Sequence, residues 1–368
     1  MISFNPEKPY NDLPLLPPKA NIETRAILKQ CIAARSALAE VKTSGEMIPN
    51  QAVLINTLPL LEAKDSTKIE NIVTTTDKLF EYASGQEYQS DPATKEALRY
   101  KTALSKGFRS LKRRPLFTAT AVEVCSIIKD RPMEIRKIPG TALRNPATGE
   151  VVYTPPVGET VLLDKLSNWE KFLHEETEID PLVRMAVGHY QVEAIHPFTD
   201  GNGRTGRILN LLYLVQENLL TIPILYLSRF IIRRKSEYYS RLLDVTRNEA
   251  WEPWIHFMLE AITETAQWTT GKIAAVRKLM DQATDHIKSK LPKIHSHELV
   301  EVIFTQPYCR ITNLVDLKIA KRETASIYLK KLCSVGVLEE RKVGRDKLFV
   351  HSKFLRLITR DKNSITQY

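Results

Sequence analysis

The residues of this chain that are best suited to chemistry lie between His196 and Arg207. This stretch reads His-Pro-Phe-Thr-Asp-Gly-Asn-Gly-Arg-Thr-Gly-Arg and runs into the apolar segment 208–214, which has helical character. Glycines allow backbone N–H groups to turn toward a ligand, and the start of a helix offers unpaired donors and a positive dipole end at the same place. The glycines are Gly201, Gly203 and Gly206. The stretch therefore predicts a binding site for a polyphosphate.

Polar residues around these glycines indicate how such an anion is held. Arg204 and Arg207 are three residues apart on the first turn of the predicted helix, so we expect both guanidinium groups to reach the phosphates. Asn202 and Gly203 can supply amide donors to a phosphoryl oxygen. Asp200 contributes one carboxylate, and a carboxylate together with phosphate oxygens is the usual way to hold Mg²⁺.

His196 supplies a base to the same stretch. It precedes the glycines, where an imidazole can take a proton from an incoming hydroxyl at neutral pH. Phe198 offers no such chemistry and is expected to anchor the loop in the core. A lone histidine, a lone Gly-x-Gly or an arginine pair is more often structural than functional, but here all three occur together in one ordered stretch.

The stretch resembles the signature of the Fic family, His-x-Phe-x-Asp/Glu-Gly-Asn-Gly-Arg-x-x-Arg, at every fixed position. The resemblance implies a protein adenylyltransferase, which transfers AMP from ATP to a Tyr, Thr or Ser hydroxyl of a target protein and releases pyrophosphate. It also implies ATP and Mg²⁺ as cofactors and a target protein as partner, and it is compatible with self-modification and with a homodimer.

The resemblance assigns roles to the residues of the stretch. His196 is the general base, Asp200 the Mg²⁺ ligand, and Arg207 the partner of the γ-phosphate. The other nucleotide-binding residues of the stretch are Gly201, Asn202, Gly203, Arg204, Thr205 and Gly206. A kinase-like branch of the family has lysine at the position of Gly203, so the glycine in this chain favours nucleotidyl transfer.

A β-hairpin is predicted ahead of the signature, because segments 134–138 and 150–154 read as short strands around the turn-rich segment 145–149. It resembles the family's flap, which clamps a target segment by strand addition. Val152 and Tyr153 on its second arm are assigned to the nucleotide site.

Tyr238 and Tyr239 stand where related proteins line the adenine pocket. Two core tyrosines on a helix explain this pair equally well. The sequence leaves these two interpretations open.

A second motif, Ser66-Thr67-Lys68-Ile69-Glu70-Asn71, matches the inhibitory pattern Ser/Thr-x-x-x-Glu-Gly/Asn of the same family. By itself the segment predicts the start of a helix, with Asp65 or Ser66 as its cap. The resemblance implies instead that Glu70 forms a bidentate pair with Arg207. Such a pair occupies the guanidinium needed by the γ-phosphate, so ATP would bind in an unproductive pose.

The predicted fold class is mainly α. We expect an N-terminal helical domain at 1–110, an all-helical catalytic core with a hairpin flap at 111–265, and a linker helix with a winged helix-turn-helix domain at 266–368. Helical spacing is seen at 22–41, from 66 onward, and at 93–111, 159–172, 181–195, 229–248 and 251–280. The run 52–58 is ambiguous, because Pro59 interrupts it.

The composition is that of a globular protein, with 43% apolar and 26% charged residues in 368. The four cysteines are far apart, which favours reduced thiols in the cytoplasm. Segment 1–20 lacks the pattern of a secretory signal, and the longest apolar stretch, 208–227, contains polar residues that argue against a membrane span.

The C-terminal region carries much of the net charge of +10, since residues 291–368 hold 15 Lys and Arg against 8 Asp and Glu. Helical segments at 298–304, 311–319 and 323–335 are followed by two strand-like arms within 339–350, which is typical of a winged helix-turn-helix. Its basic residues are Lys318, Lys321, Arg322, Lys330, Lys331, Arg341, Lys342, Arg345 and Lys347. This surface fits DNA binding, or a module for protein docking or dimer formation. The alternative function is accordingly a DNA-binding regulator whose Fic module senses nucleotide.

Overall fold

The computed structural model describes residues 4–83, 91–145, 148–343 and 346–368. Four helices form the N-terminal part: α1 (Arg25–Glu46), α2 (Ala52–Ile69), α3 (Thr76–Ala83) and α4 (Pro92–Ser110). Side-chain caps fix two of their starts. Thr24 accepts a hydrogen bond from the backbone N–H of Ile27, and Asp91 accepts one from Thr94 ahead of α4.

The predicted helix start at Ser66 is wrong, because Ser66 lies in the last turn of α2. This helix continues through Pro59, whose missing N–H is offset by the burial of most of the helix. Glu70 follows its last residue as the C-cap, and Asn71 then turns the chain with a left-handed φ of 62°. The motif thus lies at the end of a helix, which projects it toward another part of the protein.

The central part of the chain contains α5 (Thr118–Lys129), β1 (Leu143–Arg144), β2 (Val151–Tyr153), α6 (Glu159–Glu175), α7 (Pro181–Ile195) and α8 (Asn202–Gln216). Helices α7 and α8 pack against each other and are buried along nearly their whole length, which is typical of helices at the centre of a core. The signature connects these two helices, so its loop is held between rigid elements.

The hairpin is present but shorter than expected, and its first arm was placed wrongly. β1 pairs antiparallel with β2, with Leu143 opposite Tyr153. Segment 134–138 is not a strand, because Arg136 in it forms hydrogen bonds with residues at and just after the end of α7. The backbone N–H of Arg136 donates to the carbonyl of Pro197 at 2.9 Å, and its Nε donates to the carbonyl of His196 at 2.7 Å.

Three helices follow α8: α9 (Leu227–Arg233), α10 (Lys235–Asn248) and α11 (Trp251–Lys290). The single helix predicted at 229–248 is therefore two helices, separated at Arg234, whose φ of −121° and ψ of 37° are not helical. The long helix α11 packs against α1, α7 and α9 and continues into the C-terminal part.

The C-terminal part contains the three helices and the two strand arms expected for a winged helix-turn-helix. It consists of α12 (His297–Thr305), β3 (Tyr308–Cys309), α13 (Ile311–Asp316), α14 (Arg322–Ser334), β4 (Glu339–Val343), β5 (Asp346–Val350) and α15 (Ser352–Thr359). The antiparallel sheet has the order β3-β5-β4, and the prediction did not include β3 and α15. Basic residue Arg345 at the wing lies outside the described residues.

The winged domain is attached to the rest of the protein through α2 and α11. Helix α12 packs against α2, and the amide of Asn50, next to the start of α2, donates to a carboxylate oxygen of Glu301 at 3.1 Å. The buried Lys272 on α11 donates to two carbonyls at the end of α15, those of Leu357 at 2.7 Å and Arg360 at 2.8 Å. Within the described part of the chain, no helix combines the length and apolar character that crossing a membrane requires.

Candidate active site

The loop of the signature is built around Phe198 and Asn202. Phe198 is fully buried, as expected. The side-chain oxygen of Asn202 accepts from the backbone N–H of Phe198, and its side-chain nitrogen donates to the carbonyl of the same residue, both at 2.8 Å. The side chain of Asn202 thus fixes the loop and is not a donor to a phosphate. The backbone N–H groups of Asn202 and Gly203 remain as the donors of the helix start, because the first intrahelical bond is donated by Thr205 to the carbonyl of Gly201.

Gly201 and Gly203 have surroundings that favour glycine. Gly201 has a φ of 87°, which favours glycine. At Gly203 an added Cβ would lie 2.5 Å from Oε1 of Glu70 and 3.0 Å from Nη1 of Arg207. The carboxylate of Glu70 therefore lies directly against the first turn of α8. Thr205 and Gly206 are buried further along the helix.

Arg207 contacts the inhibitory motif, as the resemblance implied. Its Nη2 donates to Oε1 of Glu70 at 2.8 Å, its Nε donates to Oγ of Ser66 at 2.8 Å, and Nη2 also donates to the carbonyl of Ser66 at 2.9 Å. The pair with Glu70 is a single hydrogen bond and not the bidentate pair that was expected, and Nε and Nη2 both donate to Ser66. Burial lowers the pKa of Arg207, but the charge of Glu70 together with those of Tyr238, Tyr239 and Glu193 outweighs burial and leaves it raised.

Asn71, the last residue of the motif, is tied to α10. Its side-chain oxygen accepts from Nζ of Lys235 at 3.0 Å. The motif is therefore held from two sides, by α8 through Glu70 and by α10 through Asn71.

Arg204 points to a different set of partners. It forms ion pairs with Glu96 on α4 and with Asp200, whose Oδ1 lies 3.3 Å from its Nη2. Lys129 at the end of α5 completes the group, with Nζ 2.5 Å from Oδ2 of Asp200 and 3.4 Å from Oε1 of Glu96. The expectation that both arginines face a phosphate is therefore corrected, since Arg204 is occupied by two carboxylates.

Asp200 is charged and partly open to solvent. Partial burial raises its pKa, but the hydrogen bond and charge of Lys129, followed by the charge of Arg204, outweigh burial and lower it. Among the described residues no three side chains of His, Cys, Asp or Glu are grouped as metal ligands. A single carboxylate beside a helix start fits Mg²⁺, because this ion is commonly held by one carboxylate together with substrate phosphates and water.

His196 ends α7 in a left-handed conformation, with φ 50° and ψ 59°. Burial, followed by the positive charge of Arg136, lowers the pKa of His196 to about 4. The imidazole is therefore neutral at physiological pH and able to accept a proton.

A cavity of about 930 Å³ opens beside the signature, between the hairpin, the end of α2, α7 and α10. Val152, Tyr153 and Tyr239 line it, as does Glu70. Tyr238 does not, because it is buried behind the cavity, where its hydroxyl lies 2.9 Å from Nε2 of His189. Of the two tyrosines, Tyr239 is thus a wall of the cavity and Tyr238 is a core residue.

Sequence reasoning missed several residues of the site. Glu96, Lys129 and Lys235 reach it from distant helices and give no local signal. Glu193 lines the cavity, and burial raises its pKa to about 7, with Arg207 opposing this shift. A signal for Glu193 existed, since it is the one carboxylate of α7 and lies three residues before His196.

Three family models match this chain. They are described as Fic/DOC family N-terminal, at residues 28–109, Fic/DOC family, at 118–214, and Protein adenylyltransferase SoFic-like, C-terminal domain, at 279–354. Together they cover more than half of the sequence, and the Fic/DOC match contains the whole signature. The chain belongs to the Fic/DOC family.

Curated relatives are similar over part of their length. Protein adenylyltransferase fic-1 of Caenorhabditis briggsae is 35% identical over 91 residues, which are 24% of this chain and 16% of that protein. Protein adenylyltransferase Fic of Drosophila melanogaster is 24% identical over 144 residues, 38% of this chain and 28% of that protein. The chain thus spans less than a third of the length of these relatives.

Solved structures share the fold. A Fic family protein from Desulfovibrio desulfuricans G20 has a TM-score of 0.58 and 17% identity, over 89% of this chain and 96% of that one. Fic-1 from Caenorhabditis elegans has a TM-score of 0.52 and 19% identity, over 67% of this chain and 72% of that one. The helical core with its small flap is therefore common to these proteins.

Proposed function

We propose that this chain is a self-inhibited protein adenylyltransferase, which transfers AMP from ATP to a hydroxyl side chain of a target protein. The observation that carries the proposal is the position of Glu70, whose carboxylate lies against Gly203 and Arg207 at the start of α8. A helix start with a free arginine is a site for a phosphate. Here a carboxylate of the same chain occupies this site. Its position fits a site that prefers an anion, and it accounts for inhibition of AMP transfer.

The chemical step is assigned to His196. The hydroxyl oxygen of the target attacks the α-phosphorus of ATP, the bond to the bridging oxygen breaks, and pyrophosphate leaves. His196 takes the hydroxyl proton, since its imidazole is neutral. The phosphates of bound ATP raise its pKa toward neutrality, because negative charge favours the imidazolium.

The remaining residues bind and orient the substrates. Backbone N–H groups at the start of α8 stabilise charge on the phosphates, and Arg207 binds the terminal phosphate once Glu70 has left. Asp200 would hold Mg²⁺, which neutralises phosphate charge when bound. Tyr239 and Val152 form the wall for the nucleoside, and the short hairpin offers an edge to which a target segment can add as a strand.

Inhibition follows from charge and space. Glu70 occupies Nη2 of Arg207, and a carboxylate at this point also repels a γ-phosphate. Because α2 is buried against α4 and α9, the motif at its end is held in place rather than loosely associated. Activity therefore requires movement of Glu70.

The proposal is tested with ATP labelled at the α- or the γ-phosphate, using the wild-type chain, Glu70→Gly and His196→Ala in the Glu70→Gly background. We expect Glu70→Gly to transfer label from α-labelled ATP only, to itself or to lysate proteins, and His196→Ala to abolish transfer. Transfer from γ-labelled ATP would indicate a kinase. Binding of ATP without any transfer would favour the nucleotide-sensing alternative.

The further expectations on partners stay predictions. DNA binding by the winged domain would use its basic residues, but Lys347 pairs with Glu340 at 2.5 Å and Arg341 lies 3.8 Å from Glu339, so part of this charge is already neutralised. Homodimer formation, self-modification, the identity of the target and a cytoplasmic location also stay predictions.

A further inference from the structure

Four charged side chains beside the helix start form a closed ring of alternating sign. Lys129 contacts Asp200 at 2.5 Å and Glu96 at 3.4 Å, while Arg204 contacts Glu96 and lies 3.3 Å from Asp200. The ring is neutral, and each carboxylate touches both cations. Its members come from α4, α5, α8 and the loop before α8.

The members of the ring differ in their freedom to move. The side chain of Arg204 is 2% exposed and those of Lys129 and Glu96 are 17% and 18% exposed, whereas that of Asp200 is 52% exposed. Arg204 is fixed inside the protein. Lys129 has a flexible four-carbon stem and a compact charge, so its end can shift between two nearby carboxylates.

Packing holds the base of Lys129 close to the loop. An added Cβ at Gly201 would lie 3.2 Å from Sγ of Cys125 and 3.4 Å from Cδ of Lys129. The thiol of Cys125 also donates to the carbonyl of Asp200 at 3.3 Å. Helix α5 thus contacts the loop at Asp200 and Gly201, and the stem of Lys129 lies against Gly201 as far as Cδ.

From this arrangement we infer that Lys129 is a positioning residue, which occupies Asp200 in the absence of nucleotide and moves to Glu96 when Asp200 takes a divalent cation. The inference rests on the proposed function. A lysine left 2.5 Å from Asp200 would repel a divalent cation bound there. Glu96 is the group that can accept the displaced charge, because it already lies within 3.4 Å of Nζ.

The exchange has two effects on the site. Without nucleotide, Lys129 keeps Asp200 neutralised and oriented, so the site binds metal weakly. With nucleotide, Glu96 holds both cations of the ring while Asp200 is released toward the phosphates. No carboxylate of the ring is left without a positive partner in either state, which avoids the cost of an unpaired, partly buried charge.

The test measures binding of Mn²⁺ by electron paramagnetic resonance of the free ion, with and without a non-hydrolysable ATP analogue, in the full-length Glu70→Gly chain. Lys129→Met removes the competing cation and is expected to tighten Mn²⁺ binding on the order of fivefold and to reduce its dependence on nucleotide. Lys106→Met removes an exposed lysine of α4 and is the matched control, with no change expected.

A second variant keeps the inference falsifiable if Lys129→Met folds poorly. Glu96→Gln removes the group that receives Lys129, so Mn²⁺ binding with nucleotide should weaken on the order of fivefold. Unchanged or opposite affinities in the variants, with normal nucleotide-dependent binding in the parent, would overturn this inference alone. A parent that shows no nucleotide-dependent Mn²⁺ binding would overturn the proposed function as well.

Discussion

Arg204 and Arg207 lie three residues apart on α8, and both are paired with a glutamate from the N-terminal part of the chain. The side chains of both arginines are buried, at 2% and 1% exposure. Their partners differ. Glu96 lies inside α4 and shares its charge with Lys129, whereas Glu70 follows the end of α2, is 31% exposed and reaches Arg207 through one hydrogen bond. One pair is built into the fold, and the other is placed where it can be withdrawn.

The largest expected effect is on AMP transfer, when the pair between Glu70 and Arg207 is broken. Glu70→Gly should raise AMP transfer on the order of 100-fold, the ratio that corresponds to a pair worth about 2.7 kcal/mol. Ser66→Ala, which removes the contact with Nε of Arg207 but keeps Glu70, should activate much less. The measurement is incorporation of label from α-labelled ATP. Equal labelling by Glu70→Gly and the wild type would show that the pair between Glu70 and Arg207 does not inhibit transfer.

Breaking the pair between Arg204 and Glu96 should lower the stability of the fold. Glu96→Ala leaves the buried Arg204 with Asp200 alone and is expected to lower the free energy of unfolding by about 3 kcal/mol. Urea denaturation measures this difference. Glu123→Ala, which breaks an exposed pair with Arg114, is the matched control and should cost less than about 1 kcal/mol. A loss no larger than that of the control would contradict a structural role for Glu96.

Gly203→Ala tests how closely Glu70 approaches the helix. The added Cβ would lie 2.5 Å from Oε1 of Glu70, so the carboxylate must shift and its bond to Arg207 must weaken. We expect transfer to rise by roughly tenfold, half of the free energy expected for Glu70→Gly. In the Glu70→Gly background the same substitution should give no increase. An increase there would show that Gly203→Ala acts on the nucleotide and not on Glu70.

The smallest expected effect is on the pH dependence of stability, which should differ between the surroundings of Arg207 and those of Arg204. On the side of Arg207, burial raises the pKa of both Glu62 and Glu193 to about 7. Between about pH 4.5 and 7 these two carboxyl groups bind more protons in the folded protein than in the unfolded chain, so their contribution to stability falls as pH rises. The buried His189 and His196, whose pKa values are lowered to about 3 and about 4, contribute in the opposite direction. Glu193→Gln should remove about half of the carboxyl contribution, so the free energy of unfolding from urea titrations at several pH values should fall less steeply, or rise more steeply, with pH than in the wild type. An unchanged slope would mean that Glu193 is already ionised in the folded state.

The sequence predicted those parts of the site that are local in the chain. His196, Phe198 and the helix after Gly203 follow from one continuous stretch, so type and spacing were sufficient. The partners of Arg204 could not be predicted in this way, because Glu96 precedes it by 108 residues and shares no pattern with it. Side-chain roles within the stretch were also missed, as for Asn202, whose amide is used by the loop itself.

The errors in the fold have a related cause. Ser66 and Glu70 carry the local pattern of a helix start, yet burial of α2 continues the helix to Ile69. The alternating residues at 134–138 suggest a strand, but Arg136 finds its hydrogen-bond partners at the end of α7. In both places a tertiary contact outweighs the local preference. The helices α7 and α12 to α14 were predicted well because their patterns agree with their packing.

The position of α2 determines how distant parts of the protein are connected. A helix of 18 residues is about 27 Å long. The winged domain contacts α2 through α12 and through the bond from Asn50 to Glu301, while Glu70 lies at the opposite end. A helix transmits displacement along its axis, whereas a loop would absorb it. The C-terminal domain and the inhibitory carboxylate are therefore connected along one buried helix.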